Sequence, residues 1–413
     1  MPLKSKFWLQ FSLVNLLIVA LLGLLMRYKI GFEFPFLDQK HLQHSHSHFA
    51  FTGWISHTLM VLMMLFLENK TKQTPNTISN KYNKILTANL ICAYGMLVFF
   101  IIQGYGLFSI IFATASIFVA CIFTYFYFQD LHQIAKDDLS KSWFKAALFF
   151  NVISSVGTFA LAYMMVTKNI HQNEYLASIY YYLHFQYNGW FFFACMGLLF
   201  SMLQLKPSDN PFYEKVFKLF FIACFPAYFL STLWWDLPVF VYVLSVIAAV
   251  IQVYAWFRFL AIIIKIKQEF LENLPYFLKY ILHFVGFAVS LKLLLQLGST
   301  VPALSQLAFG FRPIVIAYLH LVLLAVISLF LLFYIYANHL IHYNKQIKMG
   351  IIIFSVGVLL NEVILAIQGI ASFSYTVIPL VNEMLFGAAI VLVSGIGIMA
   401  IYAIKKVKKQ PLL

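Results

Sequence analysis

The sequence predicts an all-α polytopic membrane protein with twelve transmembrane helices in three pseudo-repeated four-helix units. Three observations predict it. Of the 413 residues, 62% are hydrophobic and only 10% are charged, whereas a soluble domain carries about 25% charged residues. The apolar residues gather into twelve stretches, each near the roughly 20 residues a helix needs to cross a bilayer. A histidine-centred motif recurs at close to one third of the chain length. With a mean hydropathy of +0.87, this composition excludes a soluble globular enzyme, a disordered chain and a nucleic-acid binder.

In order, the stretches cover residues 7–27, 44–67, 84–105, 107–128, 143–166, 176–204, 215–235, 238–264, 276–297, 313–337, 348–371 and 378–403. Lys4 and Lys6 ahead of the first resemble a signal-peptide n-region. The run that follows is long and lacks a small-residue cleavage site, so it reads as the first span. Lys and Arg fix the expected orientation. The face holding both termini carries 22 of them, and the other carries six: Arg27, Lys29, Lys40, Lys168, Lys292 and Arg312. The positive-inside rule then places both termini in the cytoplasm of a multi-pass inner-membrane protein. It also accounts for the net charge of +14 without an acidic partner. Cys92, Cys121, Cys195 and Cys224 all fall in apolar stretches with no C-x-x-C pair, and read as small buried hydrophobes.

The repeat orders the chain as one integral membrane domain, 1–413, with pseudo-repeats near 1–137, 138–273 and 274–413. Residues 48–54 read His48-Phe-Ala-Phe-Thr-Gly53-Trp54, and residues 184–190 read His184-Phe-Gln-Tyr-Asn-Gly189-Trp190. The step from His48 to His184, taken once more, reaches His320. The three histidines open spans 2, 6 and 10, as expected of consecutive four-helix units. A fainter echo pairs Ile102-Gln103-Gly104 with Ile367-Gln368-Gly369.

Histidine is costly inside a membrane and usually faces the bundle interior. It is also a common haem and metal ligand. His44, His46, His48, His57, His184 and His320 are therefore the candidate metal ligands, with His46, His48, His184 and His320 the candidates for a haem. On a helix His44 and His48 share one face. His46 shares another with His57, about 16 Å away at 1.5 Å per residue. The glycines after His48 and His184 suit a close helix approach or a flat ligand, and the tryptophans suit packing beside it. His283 reads as an interhelical hydrogen-bond donor. His41 lies at the outer interface. His132, His171, His339 and His342 fall in loops. Glu362 lies near mid-membrane and has two readings, a proton-linked group or a neutral hydrogen-bonding one. Glu383 sits early in span 12, and Asp236 in the turn between spans 7 and 8. Arg312 either meets a haem propionate or anchors a helix end. Tyr187 and Tyr318 are candidate distal donors to a bound gas.

The twelve spans in three arcs, with His in spans 2, 6 and 10, resemble the haem–copper oxidase superfamily at its catalytic subunit I. The element His46-Ser-His48-x-x-x-x-Gly53-Trp54 is similar to the His-x-His-x-x-x-x-Gly-Trp of the cbb3-type oxidase and nitric-oxide reductase branch. The resemblance implies a low-spin haem ligand in span 2 (His46 or His48), a copper ligand in span 6 (His184) and a haem ligand in span 10 (His320). Span 7 departs from the family. It reads Phe-Ile-Ala-Cys224-Phe-Pro226-Ala-Tyr228 and lacks the pair of histidines that complete the copper site.

The expected function is that of a haem-binding membrane protein with an electron-transfer or diatomic-gas role. Copper or another metal is a second possible cofactor. If the chain is an enzyme, it is a haem-dependent oxidoreductase with an incomplete copper site. The partners this implies are the lipid bilayer, a small electron-donor protein or quinol, and O2 or NO, with no nucleic acid. The alternatives are a cofactor-free transporter or channel, and a degenerate scaffold subunit.

Overall fold

A computed structural model describes residues 3–71, 75–203, 210–272 and 274–405. Lys72, Lys206 and the basic run Lys406, Lys408 and Lys409, all counted in the charge asymmetry, lie outside the described residues. Among the described residues the chain is helical throughout, with no strand. It forms two compact units, Met1–Tyr127 with Ser328–Leu413, and Phe128–Ile327.

The first unit contains α1 (Leu3–Gly31), α2 (Gln39–Phe49), α3 (His57–Lys70), α4 (Pro75–Gln103) and α5 (Leu107–Asp130). Helices α2 and α3 are one span joined by a π-helical turn, Ala50–Ser56. This span is the core of the unit. Of its apolar stretch 89% is buried, against 11% in α5, whose Phe118, Ile122 and Tyr125 face outward. The helical register starts at Gln39, ahead of the expected apolar run. Asp38 caps it by accepting the His41 backbone N–H at 2.9 Å, which draws the His-rich segment into the helix. That bond holds the Asp38 carboxyl below the usual carboxylate range.

The second unit contains α6 (Leu139–Thr167), α7 (Gln172–His184), α8 (Phe192–Met202), α9 (Asn210–Cys224), α10 (Val239–Glu272), α11 (Tyr276–Gly298), α12 (Pro302–Gly310) and α13 (Arg312–His320). A second π-helical turn, Phe185–Phe191, joins α7 to α8, and a third, Leu321–Ser328, continues α13. Helix α9 stops at Cys224, and the chain bends by 44° into a 3₁₀ turn, Pro226–Thr232. Pro226 has no backbone N–H and cannot continue the α ladder.

The chain closes with α14 (Leu329–Ala337), α15 (Lys345–Phe373) and α16 (Val381–Lys405), all part of the first unit. Small residues bring the last two helices together. A Cβ on Gly395 would stand 2.4 Å from the Phe354 backbone nitrogen, so glycine sets that approach.

Among the described residues, ten helices are long and apolar enough to cross a membrane, or eleven if the bent pair around Pro226 is one span. The chain is therefore a multi-pass membrane protein. The stretch not counted is the expected sixth span. It is helical without a break from 172 to 202, but the polar side chains of its centre, His184, Gln186 and Asn188, dilute its apolar character. Those side chains are buried among protein, which is where a membrane helix tolerates them.

Candidate functional site

The His-rich α2 presents two histidine faces. On one, the His48 ring stacks on Phe100 with centroids 4.3 Å apart and planes 17° from parallel. Its Nε2 lies 3.2 Å from the Tyr105 hydroxyl. His44 meets the same tyrosine edge-on at 4.6 Å. His41 rests against Gly104, the left-handed residue that ends α4 (φ 59°), where a Cβ would stand 2.5 Å from the His41 Nε2. On the other face His46 turns toward α1, and its Nδ1–H donates to the Val19 carbonyl at 3.1 Å. A Cβ on Gly23 would reach 3.4 Å from its Cε1, so glycine leaves room for the ring. Further along that face, His57 is fully buried edge-on to Trp8 at 5.6 Å. Its Nδ1 accepts from Asn89 at 3.4 Å, and its Nε2 has no hydrogen-bond partner among the described residues.

Immediately beyond each motif histidine the helix widens. The π-helical turns begin at residues 50, 185 and 321, intervals of 135 and 136. A π turn takes in an extra residue, breaks the i→i−4 ladder and so releases backbone carbonyls, and such turns cluster at functional sites. In the first unit buried asparagines donate to carbonyls of the turn, one of which, Thr52 O, also accepts the His57 backbone N–H. Asn15 Nδ2 donates to Gly53 O at 2.6 Å, and Asn89 Nδ2 to Thr52 O at 3.2 Å. The Tyr94 hydroxyl holds Asn15 in turn at 2.8 Å.

In the second unit the corresponding turn is held by different chemistry at matching positions. Gln186 Nε2 donates to Asn151 Oδ1 at 3.0 Å and to Ser154 Oγ at 2.8 Å. The Cys224 thiol donates to Asn188 O at 3.9 Å. Asn151 follows Asn15, and Asn188 follows Thr52, by the interval that separates His184 from His48. Cys224 follows Asn89 by one position less. His184 is saturated. Its Nε2–H donates to the Cys224 carbonyl at 2.8 Å, and its Nδ1 accepts from Asn188 Nδ2 at 3.1 Å. That carbonyl is available because α9 breaks at Pro226, so His184 caps the broken helix.

Beside this cluster lies Lys292, within α11 and only 6% exposed. Its Nζ sits over the Phe192 ring at 5.7 Å and has no hydrogen-bond or ion-pair partner among the described residues. The charge count placed Lys292 on the outer face. Instead it is an interior cation. Tyr187 and Tyr318 are edge-on at 6.2 Å, and the Tyr318 hydroxyl is buried without a partner among the described residues. His320 donates its Nδ1–H to Ile316 O, one turn back, at 2.8 Å.

The structure thus gathers His41, His44 and His48 along one face of α2, and sets His46 and His57 on the side facing α1. His184 bonds within its own cluster. Arg312 is the first residue of α13 and is exposed. Glu362 accepts from its neighbour Asn361 at 3.1 Å and has no ion-pair partner among the described residues. Glu383 is exposed in the first turn of α16. His132, His171, His339 and His342 are exposed.

Three readings need correction. His283 bonds to Lys279 O of its own helix at 2.7 Å and is exposed, so it is no interhelical donor. Gly104 ends a helix whereas Gly369 lies inside α15, so their shared sequence has no shared local structure. The motif glycines hold side chains rather than a slot. A Cβ on Gly53 would stand 2.7 Å from the Phe49 ring, and one on Gly189 2.5 Å from Phe150 Cβ.

Residue typing alone missed Asn15, Asn89, Asn151, Asn188 and Lys292. Their signal was available, since each is a strongly polar residue inside an apolar run.

Among the described residues no three His, Cys, Asp or Glu side chains converge to hold a metal ion. A copper centre built on three histidines is not among the described residues. A haem needs a single imidazole with its lone pair on a ring nitrogen aimed at iron. In His46 and His320 the Nδ1–H bond to a backbone carbonyl fixes the tautomer with that lone pair on Nε2. That tautomer is the one an iron ligand uses, whereas His184 donates its Nε2–H to a carbonyl and accepts at Nδ1 from Asn188. No protein-family model matches the chain, and a search of curated proteins finds no match.

Proposed function

We propose that the chain is a haem-binding membrane protein related to the catalytic subunits of respiratory oxidases and nitric-oxide reductases. In this reading it has twelve spans in three four-helix repeats, both termini are cytoplasmic, and it lies in the inner membrane. The observation that carries the reading is the recurrence of the π-helical turn, directly after the motif histidines, at intervals of 135 and 136. The matched positions Asn15 and Asn151, Thr52 and Asn188, and Asn89 and Cys224 support the same repeat at the level of side chains.

Within it, His46 is the haem ligand of the first unit and His320 the candidate of the second. His184 is structural. The haem would supply one-electron chemistry or an open iron position for O2 or NO. The protein's own part is to hold each imidazole in one tautomer through Val19 O and Ile316 O, and to keep water out with the buried aromatic side chains around the π turns. A small electron-donor protein or quinol would deliver electrons. The test is a reduced-minus-oxidised visible spectrum of detergent-purified protein with iron analysis on the same sample. Sharp α and Soret bands with stoichiometric iron support the reading, and a colourless, iron-free protein made with ample haem refutes it.

A cofactor-free transporter is favoured by one specific observation. The helix broken at Pro226 offers a histidine-bound carbonyl at its break, and Lys292, a buried lysine of α11, lies beside it, the kind of discontinuity at which transporters bind substrates. Substrate-dependent flux in proteoliposomes that Lys292→Met abolishes would establish it.

A further inference from the structure

At one end of the second unit lies a cavity of about 250 Å³ that the haem reading does not use. The turn after the broken helix, the start of α10 and the link from α11 to α12 form its walls. Trp235, Asp236, Tyr242, Thr300, Ser305 and Gln306 are among its lining. Three features define what it would take.

The first is charge. Asp236 is the charged residue of the lining, is exposed, and has no ion-pair partner among the described residues. The second is the state of the polar hydrogens. The Tyr242 hydroxyl donates to Thr300 O at 2.7 Å, the Ser305 hydroxyl to Leu233 O at 3.3 Å, and the Thr300 hydroxyl to Leu297 O at 2.6 Å. These hydroxyls spend their hydrogens on the backbone, so they offer lone pairs to a ligand. The third is aromatic surface. Trp235 stacks on Trp234 at 6.1 Å with planes 12° apart, yet keeps 37% of its surface exposed. The backbone N–H groups that open α10 set a partial positive charge nearby, of about half a unit charge. It is smaller than the full charge of the carboxylate.

We infer that this cavity binds a small organic ammonium ion, with Asp236 as its counter-ion and Trp235 as a cation–π face. The indole N–H of Trp235 and the Gln306 amide are the side-chain donors left in the lining, and a site with one carboxylate, an exposed indole and three hydroxyls whose hydrogens are spent matches a ligand that brings its own positive charge and apolar bulk. The volume limits the ligand to about the size of choline, since drug-sized ligands occupy larger pockets of roughly 300 Å³ and more.

The test is isothermal titration of the full-length protein in detergent with choline and with its neutral isostere, 3,3-dimethylbutan-1-ol. Choline should bind at least about tenfold more tightly than the isostere, a difference of about 1.4 kcal/mol. Asp236→Asn should weaken choline by a similar factor, Asp236→Glu should retain it, and Trp235→Ala should weaken it. The unfolding midpoint of each variant shows that it is folded, and the choline-to-isostere ratio in the unaltered protein needs no variant. Equal affinity for the two ligands overturns the inference. So does an absence of binding up to about 10 mM choline, or unchanged choline affinity in a folded Asp236→Asn protein.

Discussion

The π turns of the two units share a backbone device but differ in how it is closed. In the first unit the side chains of Asn15 and Asn89 donate to carbonyls of the turn, so the histidine side chains before and after it are not needed for that purpose. His46 donates its Nδ1–H to Val19, which leaves the ring's lone pair on Nε2, and His57 buries an Nε2 with no partner among the described residues. In the second unit no asparagine occupies the Asn89 position. Cys224 stands there instead, and His184 is drawn in to satisfy the end of the broken α9. Histidines beside the same turn therefore take different roles, a ligand's tautomer in one unit and a helix cap in the other. His46 stands two residues before His48, the repeat partner of His184, and the tautomer and bonding of each imidazole assign its role.

The largest effect should come from separating these roles. His46→Ala should remove one haem from the purified protein and leave it folded. His184→Ala should keep the haem but lower stability by about 2–4 kcal/mol, because it strands a buried carbonyl and Asn188 together. Iron stoichiometry and thermal unfolding of the two variants, side by side, measure this.

The glycines sharpen the contrast next. In Gly189→Ala the new Cβ meets the rigid base of Phe150, and a loss of about 1–3 kcal/mol follows from overpacking. In Gly53→Ala it meets only the outer ring atoms of Phe49, which can swing away, so its unfolding midpoint should fall less.

The asparagine clamp comes third. Asn89→Ala should cost about 0.5–1.5 kcal/mol, since it removes a donor shared by Thr52 O and His57 Nδ1 while Thr52 O keeps the His57 backbone N–H. Asn89→Asp should not rescue it, because the carboxylate cannot donate.

Lys292 has the opposite sign. Replacing an unpaired buried ammonium by an apolar side chain of similar length is neutral or stabilising, so Lys292→Met should hold or raise the unfolding midpoint. The smallest effect belongs to Asp38. Its carboxyl is held below the usual range, so its capping contribution is present at neutral pH and fades as the pH falls through that range. Asp38→Ala should lower the unfolding midpoint slightly at pH 7, and this difference should shrink at pH 3.

The helices were legible because a membrane span is written in composition. The repeat was legible because His-Phe-x-aromatic-x-Gly-Trp occurs twice, about a third of the chain apart. The π turns were not legible. A run such as Leu321–Ser328 contains only apolar residues and a serine, and nothing in it distinguishes an α turn from a π turn. The bonding of His184 was hidden for a related reason. It depends on the Cys224 carbonyl, left on another helix because the Tyr228 N–H turns to Phe225 O in the 3₁₀ turn, and backbone groups leave no mark in the sequence. Lys292 misled the charge count because a lysine in an apolar run reads alike at a helix end and in an interior.

The most direct test is the reduced-minus-oxidised spectrum, with iron analysis, of the unaltered protein beside His46→Ala and His184→Ala. Haem bands are expected in the unaltered protein, with loss of one haem in His46→Ala and full retention in His184→Ala. An iron-free unaltered protein made with ample haem would contradict the haem assignment, as would haem lost from His184→Ala but kept in His46→Ala.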